Sequence, residues 1–226
     1  MPLNCSRLGR SRLGCSRLGC SRLGLVLSFF LAAVASVAAH AQTDVALSLY
    51  GTFNASTSYN IGLEHQNQAD AAGGLFEIRH ISNPLVGYEA TYSFNRANQV
   101  YTYTGTTPVG TVPGPFLGAF AVSSNAHEIT GDWLFSFPAG RLRPFALVGV
   151  GLLLNQPVSG QSQTTSSNEP VYVYGAGLDF RLVPHLGLRF QYRGNVYKAP
   201  EITTAFGSNG AFTHTAEPMI GAYFKF

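Results

Sequence analysis

The chain has 226 residues, of which 46% are hydrophobic, 12% aromatic and only 11% charged. This composition excludes an intrinsically disordered chain, because disorder requires few hydrophobic and aromatic side chains. The formal net charge is +3, but five of the fourteen basic residues and none of the eleven acidic residues lie in positions 1–24. The remainder therefore has nine basic and eleven acidic residues, a net charge of −2, so the basic balance of the whole chain is no argument for nucleic-acid binding.

The first 41 residues have the organisation of an export signal. Residues 5–24 repeat a basic five-residue unit four times (CSRLG, RSRLG, CSRLG, CSRLG), and an apolar segment, 25–39, follows. The segment ends in Ala39-His40-Ala41, and a basic region, a short apolar core and an A-x-A site together form a secretory signal. The apolar segment is shorter than the roughly 20 residues that a spanning helix needs. The sequence predicts cleavage after Ala41 and a mature domain over residues 42–226.

All three cysteines, Cys5, Cys15 and Cys20, precede the apolar segment. The predicted mature chain has no thiol, so neither a disulfide framework nor a thiolate zinc site is expected. The histidines also lack ligand spacing: His127 and Glu128 are adjacent, and a strand points neighbouring side chains to opposite faces. We therefore predict no metal site and no cofactor.

Alternation with a period of two residues dominates the rest of the chain. In the segment 86–94, VGYEATYSF, Val and large aromatic residues alternate with Glu, Thr and Ser. A strand with one apolar and one polar face has this pattern. Eight strands of this kind are predicted, at 44–53, 73–81, 85–96, 126–137, 143–154, 170–181, 186–196 and 214–226.

The connections between these strands alternate in length. Short turns are predicted at 82–84, 138–142 and 182–185, and long polar segments at 54–72, 97–125, 155–169 and 197–213. Short connections on one side and long loops on the other are typical of a transmembrane barrel with periplasmic turns and extracellular loops. The prediction is an all-β protein, a closed eight-stranded antiparallel up-and-down transmembrane β-barrel.

The C-terminus supports this interpretation. Ile220, Ala222, Phe224 and Phe226 share one face of the last predicted strand, and the chain ends on the aromatic residue. This ending resembles the C-terminal signal of outer-membrane proteins, which the barrel-assembly machinery reads. Over residues 42–226 the chain resembles the eight-stranded outer-membrane β-barrel superfamily and is similar to the outer-membrane protein A transmembrane domain. The resemblance implies a bacterial outer-membrane location, contact with membrane lipid and the assembly machinery as a partner.

Charged residues occupy the polar face of the predicted strands. On the lipid face of a barrel a basic residue costs roughly 2–4 kcal/mol at the midplane, so these groups are expected to point into the lumen and to pair. The interior of an eight-stranded barrel is just wide enough for side chains to fill it, which favours a plugging salt-bridge network over a channel. A polar channel is the alternative function of the same residues, which are Glu77, Arg79, Glu89, Glu128, Asp132, Asp179, Arg189, Arg193 and Lys225.

One motif has a catalytic alternative. His80-Ile81-Ser82-Asn83 resembles the His-x-Ser-Asn element of outer-membrane lipid A 3-O-deacylases, in which a His–Ser pair activates serine for acyl transfer. The motif lies at a predicted periplasmic turn, and position 94, where the resemblance would place the acid, is Phe. Ser-Asn-Pro is also an ordinary turn sequence, so we predict no enzymatic activity.

The second alternative is a soluble lipocalin-like ligand-binding barrel with its apolar residues inside, which would need a more polar exterior than this sequence offers. We predict a monomeric integral outer-membrane barrel with a structural, adhesive or small-pore role. The long loops are the expected site for an extracellular ligand, and no nucleic-acid partner is expected.

Overall fold

The computed structural model describes residues 42–59, 64–103, 118–161, 164–203 and 210–226. In this part of the chain the regular elements are strands. It contains no helix that is long and apolar enough to cross a membrane. The strands are β1 (Gln42–Asn54), β2 (Thr57–Tyr59), β3 (Glu64–Gln68), β4 (Ala71–Ile81), β5 (Val86–Tyr103), β6 (Gly118–Ser136), β7 (Leu142–Pro157), β8 (Ser167–Val183), β9 (Leu186–Lys198) and β10 (Phe212–Lys225).

Eight of these strands form a closed antiparallel barrel. Each of β4 to β9 pairs with the next strand along the chain, and β1 pairs with both β4 and β10 to close the ring. In this register Val45 lies between Ile78 on one side and Phe224 on the other. Closure leaves no free edge in the wall, so every wall strand has hydrogen-bonding partners on both sides, as lipid requires.

The two faces of the wall have opposite chemistry. Large apolar side chains are exposed on the outside, for example Leu49 at 72% and Trp133 at 63%, whereas the inward positions between them are mostly polar or charged. A soluble lipocalin-like barrel would show the reverse arrangement, so that alternative is wrong. The exterior suits lipid and the interior does not suit an apolar ligand.

Glycine allows the interior to pack closely at two places. A Cβ at Gly149 on β7 would overlap the Asp132 carboxylate and lie 2.6 Å from the carbonyl oxygen of Gly131. A Cβ at Gly187 on β9 would overlap the Tyr223 ring. At both positions an inward side chain of a neighbouring strand occupies the space that glycine leaves open.

Two predicted loops were wrong in part. The segment 97–125 was predicted as a loop, but β5 continues to Tyr103 and β6 begins at Gly118, with the two strands paired throughout. The segment 54–72 contains β2 and β3, and β3 pairs with the upper part of β5. Beyond the membrane the outward face need not be apolar, so these polar strands lack the alternation that marks the others.

The barrel thus has two distinct ends. We call the end with the connections β4–β5, β6–β7 and β8–β9 the turn end, because each of these connections has two to five residues outside the strands. The opposite end, which carries β2, β3 and the upper parts of β5 and β6, is the loop end.

Candidate functional site in the barrel interior

A layer of six charged side chains crosses the turn-end half of the barrel. Arg79 and Arg189 are each 0% exposed, and four carboxylates surround them. Arg79 Nη2 lies 2.7 Å from Glu89 Oε2 on the next strand, and Arg79 Nη1 lies 3.1 Å from Asp179 Oδ2. Because β4 and β8 are not neighbours in the wall, the second contact spans the lumen.

Arg189 makes the remaining ion pairs of this layer, which we call the turn-half layer. Its Nε donates to Asp179 Oδ1 at 2.8 Å, its Nη2 donates to Asp44 Oδ1 at 3.0 Å, and its Nη1 donates to Glu77. Asp179 therefore accepts from both arginines and joins them into one network. A buried charge is tolerable only when it is paired and hydrogen-bonded. Each of the six groups has at least one such partner, whereas Glu77 Oε1 and Glu89 Oε1 accept no hydrogen bond from the described residues.

Aromatic rings lie against the two guanidinium groups. The Arg79 Cζ atom lies 4.3 Å from the centroid of the Phe145 ring, and Arg189 Cζ lies 5.3 Å from the centroid of Tyr223. Guanidinium groups stack favourably on aromatic faces, and in a desolvated setting this attraction reaches about 2 kcal/mol. The Phe145 ring also lies 5.8 Å from Arg189 Cζ, so one ring is close to both guanidinium groups.

A second charged layer occupies the loop-end half of the lumen and is built around Arg193, which is also 0% exposed. Arg193 Nη2 lies 3.2 Å from Glu128 Oε1 and 3.8 Å from Asp132 Oδ2. The same guanidinium donates to the hydroxyls of Thr91 and Thr130. Above it, a cavity of about 20 Å³ is large enough for one water molecule.

Residues 199–203, after β9, reach across the ring to contact β3, β5 and β6 at the loop end, and we call this segment the cap. Ile202 is 0% exposed and packs with Tyr101 and Val122. The Pro200 carbonyl accepts hydrogen bonds from Gln66 Nε2 at 2.8 Å and from Tyr101 Oη at 3.4 Å. The cap is held by residues of the loop-end strands β3, β5 and β6 and not by the wall alone.

The structure places eight of the nine charged residues predicted for the lumen in these two layers. The ninth, Lys225, is half-buried and lines a cavity at the turn end. The prediction missed Asp44, a member of the first layer, and Glu217, a buried carboxylate beside the second. The strand pattern could have found both, because each is out of phase with the apolar outward residues of its strand, such as Leu47 and Ile220.

The His80-Ser82 motif lies at the turn end. His80 Nδ1 is 3.1 Å from Thr43 Oγ1, and its ring lies 5.0 Å from that of Tyr88. The backbone N–H of Ser82 donates to the Val86 carbonyl within the turn. These contacts hold the histidine against the wall.

The predicted C-terminal signal lies on the barrel exterior. Ile220, Phe224 and Phe226 are exposed, as is Ala222 between them, and the Phe226 N–H donates to the Thr43 carbonyl at 3.0 Å. The predicted cleavage residues Ala39 and Ala41 lie outside the described residues, and β1 begins at Gln42.

The sequence matches the family model described as "Outer membrane protein beta-barrel domain" over residues 27–221, which is more than half of the chain. The chain belongs to this family. Its location is therefore the bacterial outer membrane, and the apolar exterior of the barrel is the surface that meets lipid. A search of curated proteins finds no significant match.

Solved outer-membrane barrels have the same fold. Ail, the attachment invasion locus protein of Yersinia pestis, crystallised with the heparin analogue sucrose octasulfate, superposes with a TM-score of 0.50 at 14% identity, covering 82% of this chain and 99% of Ail. Neisserial surface protein A gives 0.50 at 14% identity, covering 81% and 97%. OprG from Pseudomonas aeruginosa gives 0.52 at 13% identity, covering 82% and 95%. At these identities the likeness shows the fold alone.

Proposed function

We propose that this chain is a sealed, monomeric outer-membrane scaffold that presents a polar β-sheet to an extracellular partner. The buried ion-pair layers carry the first half of this proposal. The guanidinium groups of Arg79, Arg189 and Arg193 have no solvent exposure, and contacts such as Arg79–Asp179 cross the lumen. A channel of this diameter would need that space for water and ions, so a plugged lumen fits the contacts better than a pore.

The loop-end sheet supports the second half. Strands β2, β3, β5 and β6 continue beyond the ends of their neighbours and pair in the order β2-β3-β5-β6. Such an extension is not needed to close the barrel, whereas rigid display of loops is the usual use of a stable scaffold. We propose that the loop end faces outward and the turn end faces the periplasm, as in other transmembrane barrels.

The charge of the long connections limits the chemical class of partner that the loop end can bind. The four long connections predicted from the sequence contain four acidic residues and one basic residue, and are otherwise rich in Ser, Thr, Asn, Gln and Tyr. A sulfated polyanion such as the heparin analogue bound to Ail requires cationic contacts. We therefore propose a partner recognised through hydrogen bonds to hydroxyl and amide groups, not a polyanion.

Orientation is tested by cysteine labelling of intact cells, because residues 42–226 contain no cysteine. Asn67→Cys places a thiol on exposed β3 at the loop end, and Leu182→Cys places one at the turn end. A membrane-impermeant maleimide is expected to label the first variant on intact cells and the second only after lysis. Labelling of Leu182→Cys alone on intact cells would reverse the proposed orientation.

Adhesion is tested with a variant in which a short Gly-Asn turn replaces residues 57–68, which removes β2 and β3 but leaves the barrel wall. We expect cells that carry the parent to adhere to host-cell surfaces better than cells with this variant, and neither to bind immobilised heparin above the vector control. Equal adherence of parent and vector control would reject the adhesive role.

Biogenesis gives two further expectations. We propose cleavage after Ala41, so the outer-membrane form should have the mass of residues 42–226, and Ala41→Arg should retain the leader. We also propose that the assembly machinery reads Phe226 and its neighbours, so deletion of Phe226 should lower the outer-membrane yield. Normal yield after that deletion would contradict a role for the terminal aromatic residue.

A further inference from the structure

A basic cavity of about 200 Å³ opens at the turn end of the lumen. Its lining includes Arg141 and Arg143 from the β6–β7 connection and the start of β7, Arg181 from β8 and Lys225 from β10. Four positive side chains from three parts of the wall thus converge on one space. We call them the basic rim.

The ion pairs described for the turn-half layer do not include the side chains of the basic rim. In register, Lys225 lies opposite Asp44, and Arg143 lies opposite Asp179. The recorded ion pairs of both acids nevertheless go to Arg189 and Arg79, deeper in the lumen. Within the described residues, no ion pair within 4.0 Å is recorded for any member of the rim, and Arg181 Nη2 donates to the Gly140 carbonyl at 3.2 Å.

The rim balances the interior as a whole, but its own side chains stay unpaired. The two charged layers and Glu217 together have seven carboxylates and three arginines, an excess of four formal negative charges that the four rim charges match. Asp44 and Asp179 also line the cavity, but their ion pairs go to Arg189 and Arg79. The rim side chains therefore face the cavity without an ion-pair partner among the described residues.

We propose that the basic rim binds an anion carrying a phosphate group. Three of its four members are arginines, whose planar guanidinium groups match the oxygens of phosphate in bidentate geometry. The cavity volume suits a single phosphate group with a small substituent and not a polymer. Two sources share this chemistry: a free phosphate-bearing solute and the headgroup of a phospholipid in the adjacent leaflet. Whether the anion comes from the periplasm or from outside the cell depends on the orientation proposed above. The cysteine-labelling experiment tests that orientation separately.

Isothermal titration of the detergent-folded protein with inorganic phosphate tests the site. We expect saturable binding that weakens at least tenfold in Arg143→Gln and at least threefold in Arg181→Gln. Arg96→Gln is the matched control, because Arg96 is exposed and lies toward the loop end, and it should change the affinity less than twofold. If Arg143→Gln fails to fold, as judged by the loss of a heat-dependent gel shift, the exposed Arg181 decides the question.

Reconstituted vesicles distinguish the sources. Phosphate binding should persist in vesicles of phosphatidylcholine alone. Competition by added phosphatidylglycerol identifies a headgroup as an occupant, and unchanged phosphate affinity identifies a solute. The proposal is overturned if phosphate shows no saturable binding, or if the rim variants bind it as tightly as Arg96→Gln does. Either result would mean that the rim serves only to balance the carboxylates below it.

Discussion

The two halves of the lumen are filled by different kinds of contact. The turn-end half is filled by a layer in which two arginines and four carboxylates join strands on opposite sides of the barrel. The loop-end half has a smaller charged layer around one arginine, and above it a cap of apolar and backbone contacts. Charged contacts across the lumen connect wall strands, whereas the cap is a local segment laid over them.

This difference predicts where global and local stability reside. Breaking a contact that spans the lumen leaves charges buried, so the whole barrel is destabilised. Loosening the cap exposes a few residues to water and leaves the wall intact, so its effect should be confined to the loop end.

The largest effect is expected for Arg189→Ala. This change leaves Asp44, Glu77 and Asp179 without their shared guanidinium, and removal of one partner from a buried ion pair typically costs roughly 3–5 kcal/mol. The free energy of unfolding in urea, followed in vesicles by gel mobility, should fall by about that amount. Arg96→Ala is the matched control, because an exposed arginine away from special features should change it by no more than about 0.5 kcal/mol. Equal losses of free energy of unfolding in the two variants would show that the turn-half layer contributes no more to global stability than an exposed arginine does.

A smaller effect is expected for Gly149→Ala. The added methyl group would overlap the carboxylate of Asp132, which belongs to the second charged layer around Arg193. Overpacking of this kind costs about 1–3 kcal/mol. Gly131→Ala is the control, since a Cβ there meets nothing within 4 Å. Subtracting the change in free energy of unfolding for Gly131→Ala from that for Gly149→Ala removes the intrinsic effect of replacing glycine by alanine. If Gly149→Ala were as stable as Gly131→Ala, the second layer would be loosely packed.

The smallest global effect is expected for Ile202→Ala in the cap. Its side chain packs against Tyr101 and Val122, so its loss should favour local opening. Hydrogen exchange of the Thr165 amide, which donates to the Ile202 carbonyl, should accelerate about tenfold, equivalent to about 1.4 kcal/mol. The global unfolding midpoint should stay close to that of the parent. A global loss as large as that of Arg189→Ala would show that the cap is part of the cooperative unit.

The wall was predictable from the sequence because alternation specifies faces. In β4 and β9, for example, the charged positions Glu77 and Arg189 follow directly from the period of two. The contacts across the lumen were not predictable in the same way. Arg79 meets Asp179 only because eight strands close with one particular register, and no local pattern encodes that pairing.

The missed features lie where the alternation is weak. Asp44 stands at the start of β1, where the alternation has only begun, and Glu217 lies in the first half of β10, where His214 interrupts the apolar face. Glu217 is buried inside, whereas His214 Nε2 lies 2.8 Å from Tyr174 Oη on the exterior. The cap has no periodicity at all, since its burial depends on the strands around it.

Planar-bilayer recording of the folded parent protein tests the central claim most directly, which is that the ion-paired layers and the cap seal the lumen. We predict no conductance above that of the protein-free bilayer at any applied voltage up to membrane breakdown. The same preparation must show a heat-dependent gel shift, so that silence cannot reflect unfolded protein. A stable conductance that rises with salt concentration would contradict the sealed lumen and restore the pore alternative.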